Sequence, residues 1–480
     1  MKHLLVRSGK SPFHLPTRTE VIQQDLIGTN AGNLVFSDAT HKLLQVPGAT
    51  EVTSNGLRTD SSKERAAQIN EEYDAFVVPL ANAFRPSFEP SLNRLSKLIE
   101  QLKIPVVVIG VGAQAGTDYD TERLKAIEPA VKRFMKAVLK RSASVGVRGE
   151  LTADYLKELG YKGKDVDIIG CPSMFLHGDT FPEIRLPEGG ITDASRIAIN
   201  ISPGAPKVGP IAEIAQRTYE RFADLTYYAQ NLTDAELLLW GDTTAEKGQP
   251  AELPNQTAHG LLRDDKMRLP TDPYRWMAEL REHDFAFGTR IHGNITALLA
   301  GTPAVVLCHD SRTLELCRYF GIPYEMLADQ PADMDPAELY EKADFAGLQN
   351  GHQERWDRFA QFLDRNGLED TYTHGDRGAA FEERMAALDL PPSMRVWDGS
   401  DDGANRYRVA WLHERAENVR KRQDAAARRI GELKERNEEL TEQVGKLEKQ
   451  LAGLERRVAA MDKRPLGRLG GIFKGRGGQG

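Results

Sequence analysis

Cysteine is scarce in this 480-residue chain: the three thiols, Cys171, Cys308 and Cys317, are odd in number and show no C-x-x-C spacing. Neither a disulfide framework nor a zinc site is indicated, and small buried thiols in a reducing compartment are expected. Basic excess is missing too. The 63 Lys and Arg stand against 70 Asp and Glu, a formal net charge of −7, which argues against nucleic acid as a partner while leaving room for a local anion site. The opening MKHLLVRSGKSP has too short an apolar run for a signal peptide, and no later run approaches the ~20 apolar residues of a membrane span. A cytoplasmic protein is expected, at most peripheral to the inner face of a membrane. No GxxxxGK[ST], GxSxG, HExxH or DxDxDG occurs, so P-loop hydrolysis, serine hydrolysis, zinc proteolysis and EF-hand binding find no support.

What is present reads as soluble and globular, with 40% hydrophobic and 28% charged residues. From Asp74 a strand (DAFVVPL), a helical stretch (PSLNRLSKLIEQLKI) and a second strand (PVVVIGVGAQ) form a βαβ unit. Near-continuous apolar runs suit central strands of a parallel sheet covered on both faces. A helix over 120–140, the strand SASVGVRG, the helix LTADYLKELGY and the strand DVDIIGCPS continue it. These predict a Rossmann-like domain over 1–185. After the Gly-, Pro- and acid-rich stretch 178–195, a second Rossmann-like domain is expected over 186–335. Its strands are read in RIAINISPG, ELLLWGD, FAFGTR and PAVVLC, with a helix over 211–230. Two such domains facing across a cleft would place ligands at the carboxyl edges of the strands.

Residues 336–405 read as a helical and irregular extension with a covering role. Over 406–464, a strict a/d series runs through Ile430, Leu433, Asn437, Leu440, Val444, Leu447, Leu451, Leu454, Val458 and Met461, and extends more weakly back to Val409. It predicts a coiled coil, with Ile and Val at a, Leu at d and Asn437 favouring a parallel homodimer. A single solvated helix is the alternative. Beyond Pro465, residues 465–480 are basic and glycine-rich and read as a flexible tail.

The stretch FAFGTRIHGNITALLAGTPAVVL places Arg290 and His292 where a buried strand gives way to a helix. A guanidinium there offers a planar fork to carboxylate or phosphate, the free amides of the helix start favour the same groups, and the imidazole is a candidate proton donor or acceptor. The helix end should lower the pKa of His292 and a bound anion should raise it. SASVGVRGELTADYL repeats the arrangement around Arg148, for which an i to i+2 pairing with Glu150 is the alternative. GVGAQAG resembles a dinucleotide loop only superficially, since Ala115 stands where the third glycine belongs. Gly112 in that strand end permits close backbone approach, for a ligand or for a tight turn alone. Two arginines at strand ends of two domains suggest one small ligand with two anionic groups, such as phosphoenolpyruvate.

GTNAGN, VIGVGAQ, SVGVRGELT, DIIGCPS, INISPG and above all GTRIHGNITALLAGTPAVVLCHDSRTLELCRYFGIP together resemble the polysaccharide pyruvyl transferase family, over residues 20–330. The resemblance implies an α/β fold of two Rossmann-like domains in the glycosyltransferase-B manner, and transfer of pyruvate from phosphoenolpyruvate onto a sugar as a ketal, without metal or other cofactor. It implies Arg148 and Arg290 as phosphoenolpyruvate-binding residues and His292 as general acid. Arg312 would be a further anion contact, and Gly112, Gln114 and Asn33 would contact substrate. The partners it implies are the donor and a saccharide acceptor, free or lipid-linked. Two other readings compete: a nucleotide-sugar-dependent glycosyltransferase of the same fold, and a non-catalytic coiled-coil scaffold.

Overall fold

In the computed structural model, which describes residues 1–241, 248–400 and 402–462, the chain divides into the unit Met1–Asp398 and the unit Gly399–Gly480. The first unit holds two parallel sheets. β1 (Lys2–Val6), β2 (Thr50–Ser54), β3 (Ala75–Pro79) and β4 (Val106–Ile109) form a sheet in the order β2-β1-β3-β4. β5 (Val145–Val147) pairs with β6 (Val166–Ile168), and a parallel bridge from Val111 to Val147 joins that pair to the end of β4. The second sheet contains β7 (Ile197–Asn200), β8 (Leu225–Tyr228), β9 (Met267–Arg268), β10 (Phe285–Gly288), β11 (Ala304–Cys308) and β12 (Tyr324–Met326). Their order is β12-β11-β10-β7-β8-β9. Renumbered from β7, that is the doubly wound 3-2-1-4-5-6 sequence, so the direction of winding reverses between β7 and β10. In the first sheet the reversal falls between β1 and β3.

Apolar runs without alternation occupy the middle of both sheets. FVVP of β3, VVVI of β4, FAFG of β10 and AVVLC of β11 are buried throughout, because helices cover both faces and leave no wet side to select polar residues. The helix Glu89–Gln101 shows the logic of the cover. Leu92, Leu95, Leu98 and Ile99 recur at helical spacing and pack with Phe76, Val78, Val106 and Val108, each full burial contributing about 1.5–3 kcal/mol. The helix His352–Arg365 sends Trp356, Phe359, Phe362 and Leu363 into a core shared with Leu4, Phe175 and Phe320. All three cysteines are buried free thiols.

Two expected elements differ. ELLLW, expected as a strand, belongs to the helix Leu232–Trp240; a short apolar run carries no period that separates the two states. Asp234 accepts the Asn231 N–H at 2.8 Å to start the helix, and Gly241, at φ 62°, ends it in the left-handed region. The helix expected over 211–230 stops at Arg221, and the aromatic and β-branched LTYY that follows becomes β8, between β7 and β9.

The second unit contains the continuous helix Asp402–Asp462. Along it Ile430, Leu433, Leu440, Val444, Leu447, Leu451, Leu454 and Val458 are 45–62% exposed. The expectation of a flexible tail over 465–480 lies outside the described residues. Among the described residues no helix is long and apolar enough to cross a membrane.

Candidate active site

Arg290 is built into the reversal point of the second sheet. β7 ends at Asn200, whose Oδ1 accepts the Arg290 N–H at 2.9 Å. β10 can lie that close only through Gly288: at φ 147°, a Cβ there would stand 2.0 Å from the Asn200 carbonyl oxygen. Arg290 precedes the first turn of the helix Ile291–Leu299. Its Nε donates to the Ile201 carbonyl at 3.0 Å and an Nη to Asn231 Oδ1 at 2.7 Å, so the guanidinium is held at two points before any ligand arrives.

His292, in that first turn, is 8% exposed. Its Nε2 lies 3.5 Å from Cys171 Sγ, and its ring packs on Phe36 at 5.6 Å between centres. Gly32 makes the approach possible, because a Cβ there would come within 2.8 Å of His292 Cβ. Burial first, then the positive fields of Arg148 and Arg312, hold the imidazole pKa well below its usual 6.5. The ring is therefore neutral near pH 7, and with Nε2 facing Cys171, Nδ1 is the nitrogen left for a ligand.

Arg148 follows β5 and is 1% exposed. Its Nε donates to the Gly110 carbonyl at 3.0 Å, and one Nη is buried with no partner in the protein. A buried donor on a cation is expensive to leave unmatched; here it fits an anion. Behind it, Glu315 accepts the Thr152 N–H at 2.9 Å, and burial raises its carboxyl to about 7 against the opposing pull of Thr152 and Arg148. Arg312 is tethered through Nε to Asp310 Oδ2 at 2.9 Å, and Asp310 caps the helix Ser311–Phe320 by accepting the Thr313 N–H at 3.0 Å.

Arg148, Arg290, His292, Arg312 and Asn33 all line one cavity of about 800 Å³, which draws its walls from both sheets. Asn33 Nδ2 is engaged with the carbonyls of Ile27 and Gly28 at 3.0 and 2.9 Å. Gly112 and Gln114 stand behind the wall. A Cβ at Gly112 would meet Arg148 Cδ at 2.8 Å, so this glycine makes room for the arginine; Gln114 Nε2 donates to Asp310 Oδ2 at 3.2 Å. Sequence reasoning missed Asn200, Asn231, Cys171 and the further arginines Arg7, Arg58, Arg85 and Arg94 on the same wall. INISPG, VRSGK and DIIGCPS, each a strand end opening into a glycine-containing loop, carried the signal for Asn200, Arg7 and Cys171. Among the described residues no group of three or more His, Cys, Asp or Glu gathers as a metal ion would need.

The molecule is thus an α/β protein with parallel sheets and a cavity at strand ends that is rich in arginine. The family model of polysaccharide pyruvyl transferases matches residues 30–311, more than half of the chain, and the chain belongs to that family. No curated protein matches it. Solved structures with a similar backbone include S. aureus MnaA with UDP, at 12% identity and TM-score 0.36, covering 82% of this chain and 99% of that one. Others are the UDP-GlcNAc 2-epimerase of Methanocaldococcus jannaschii with UDP-GlcNAc and UDP, at 10% identity and TM-score 0.39, covering 76% and 99%, and Anabaena HepE with UDP and glucose, at 12% and 0.38, covering 81% and 100%. At this degree of likeness they say nothing of ligand.

Proposed function

We propose that the protein moves pyruvate from phosphoenolpyruvate onto two hydroxyls of a saccharide as a ketal, with Arg148, Arg290 and Arg312 binding the donor and His292 as the acid. The observation that carries the reading is the convergence of three arginines on one buried, neutral imidazole, one of them with an unmatched donor. Burial first, and the arginine fields second, suppress the His292 charge; the bound phosphate and carboxylate would cancel those fields and place negative charge beside the buried ring, so the ring takes up a proton as the donor arrives. Delivered to the methylene carbon, that proton makes a methyl group and leaves positive charge at C2. The two acceptor oxygens bond to C2 and the bond to the phosphate oxygen breaks. Of the two hydroxyl protons, one restores the imidazolium and the other leaves with phosphate. A positioned acid supplies roughly 10²–10⁴-fold, and the guanidinium groups stabilise the charge growing on the leaving phosphate.

The C-terminal helix supports a second element of the proposal. Its a/d residues form an exposed apolar stripe, which a parallel coiled coil with a second copy would cover. The decisive test of the activity is incubation with phosphoenolpyruvate and a panel of nucleotide-linked and lipid-linked saccharides. Release of phosphate with a pyruvate-sized mass gain on a saccharide is expected. Thermal stabilisation by UDP-sugars with none by phosphoenolpyruvate would instead favour a nucleotide-sugar glycosyltransferase.

A further inference from the structure

The cavity holds more arginine than one phosphoenolpyruvate uses. Arg7 and Arg58 line it without belonging to the group around His292. Arg7 directly follows β1, and its N–H donates to the Val77 carbonyl of β3 at 2.9 Å, so it stands at the reversal point of the first sheet. Arg290 occupies the corresponding place in the second. In open parallel sheets such a point is where ligands bind, and this molecule has two, opening into one cavity.

The chemistry there is that of an anion site. One Nη of Arg7 donates to the Leu57 carbonyl at 3.0 Å, while its Nε is buried without a partner in the protein. Burial lowers the guanidinium pKa to about 10, which still leaves it fully charged. Arg58 follows Leu57 in the loop that Arg7 holds. Asp25, among the described residues the only carboxylate on the cavity wall, carries one charge against these two and already accepts the Thr29 N–H at 2.7 Å. The wall is also thinned by glycine: a Cβ at Gly9 would stand 1.8 Å from the Leu26 carbonyl oxygen, and one at Gly28 2.1 Å from Leu57 Cδ1. Cations thus approach from two chain segments, after β1 and after β2. A tetrahedral, multiply charged group can accept from both directions at once, whereas one planar fork saturates a carboxylate.

We infer that this end of the cavity is a second anion subsite, which takes a phosphate or diphosphate carried by the saccharide acceptor while phosphoenolpyruvate occupies the arginines around His292. The inference rests on the proposed pyruvyl transfer for the identity of the other ligand.

Calorimetric titration with inorganic pyrophosphate, without and with saturating phosphoenolpyruvate, tests it. Pyrophosphate should still bind when phosphoenolpyruvate is present. Arg7→Gln with Arg58→Gln should weaken pyrophosphate by about tenfold or more, the scale of a lost charge-assisted hydrogen bond, and leave phosphoenolpyruvate affinity unchanged. Arg58→Gln alone serves if the loss of Arg7 disturbs folding, and lysine at either position should restore part of the binding. Complete displacement of pyrophosphate by phosphoenolpyruvate, or wild-type binding in the double variant, overturns the subsite. If phosphoenolpyruvate binds nowhere while the Arg7- and Arg58-dependent binding persists, pyruvyl transfer falls and the subsite stands. Competition then identifies the source: displacement by a UDP-sugar assigns a nucleotide-linked acceptor and displacement by an isoprenyl diphosphate a lipid-linked one. Displacement by neither overturns the assignment to an acceptor.

Discussion

Replacing Arg148 by Met should make the empty protein more stable and the liganded protein less so. The Arg148 guanidinium is 1% exposed, has one hydrogen bond through Nε and one buried unmatched Nη, and feels the repulsion of Arg312. Burying an ion costs several kcal/mol after relaxation, and one charge-assisted hydrogen bond returns about 1.5–3 kcal/mol. Methionine keeps the aliphatic volume and removes both contributions. Glu315 does not become an exposed cost of the change: its carboxyl, at about 7 with Arg148 pulling down, moves up and retains its proton. The net gain is about 1–2 kcal/mol, a rise in melting temperature of a few degrees for a unit of this size. Saturating phosphoenolpyruvate at about a hundred times its Kd adds roughly 2.7 kcal/mol to the wild type and should add little to the variant, so the two melting curves exchange order. Differential scanning fluorimetry with and without phosphoenolpyruvate reads both. A variant that melts below wild type when empty and responds equally to the ligand would refute the reasoning, because Arg148 would then be a structural residue.

His292→Gln should lower turnover by roughly 10²–10⁴-fold with little change in donor affinity. In the wild type, titrations in buffers of different ionisation heat should show proton uptake on phosphoenolpyruvate binding, since burial and the neighbouring arginines hold the ring neutral; absence of uptake near pH 7 would argue against an imidazolium acid. Asp38, with both carboxylate oxygens buried and unpaired, is raised from 3.8 to about 7. A raised carboxyl stabilises the fold below its unfolded pKa and loses that contribution as pH rises through the folded one, so the stability of Asp38→Asn relative to wild type should grow from pH about 4 to about 7, measured by denaturant unfolding. A chain truncated after Asp398 should sediment as a monomer while the full chain sediments as a dimer; equal masses would refute a coiled-coil dimer.

Much of the candidate site was readable in one dimension. The Arg-x-His pair announced itself because a buried apolar strand, a helix start and a guanidinium fall within eight residues, and local chemistry of that kind needs no tertiary information. The central strands β3, β4, β10 and β11 were legible for the same reason, as unbroken apolar runs, whereas β2, β8, β9 and β12 carry no such run and were not read as strands. Gly112 and Gln114 show the limit. Both lie in a motif next to the site, yet one makes room for Arg148 and the other braces Asp310, roles that depend on which element packs behind the strand end. The ELLLW run became a helix because Asp234 caps it and Gly241 stops it, signals weaker than the apolar run that concealed them.

By itself the sequence determined the α/β class, the family motifs, the position of Arg290 and His292 on a strand-to-helix turn, and the spacing of the apolar residues along the C-terminal helix. These follow from periodicities of two, 3.6 and 3.5 residues and from local turn chemistry. Only the tertiary structure decided that burial, with Arg148 and Arg312 beside it, suppresses the charge of His292, that Cys171 faces its Nε2, and that Arg7, far away in the chain, shares the same cavity. The physical reason is that a pKa, an unmatched donor and a cavity wall are set by distance and burial in three dimensions, which strand order creates and residue order does not record.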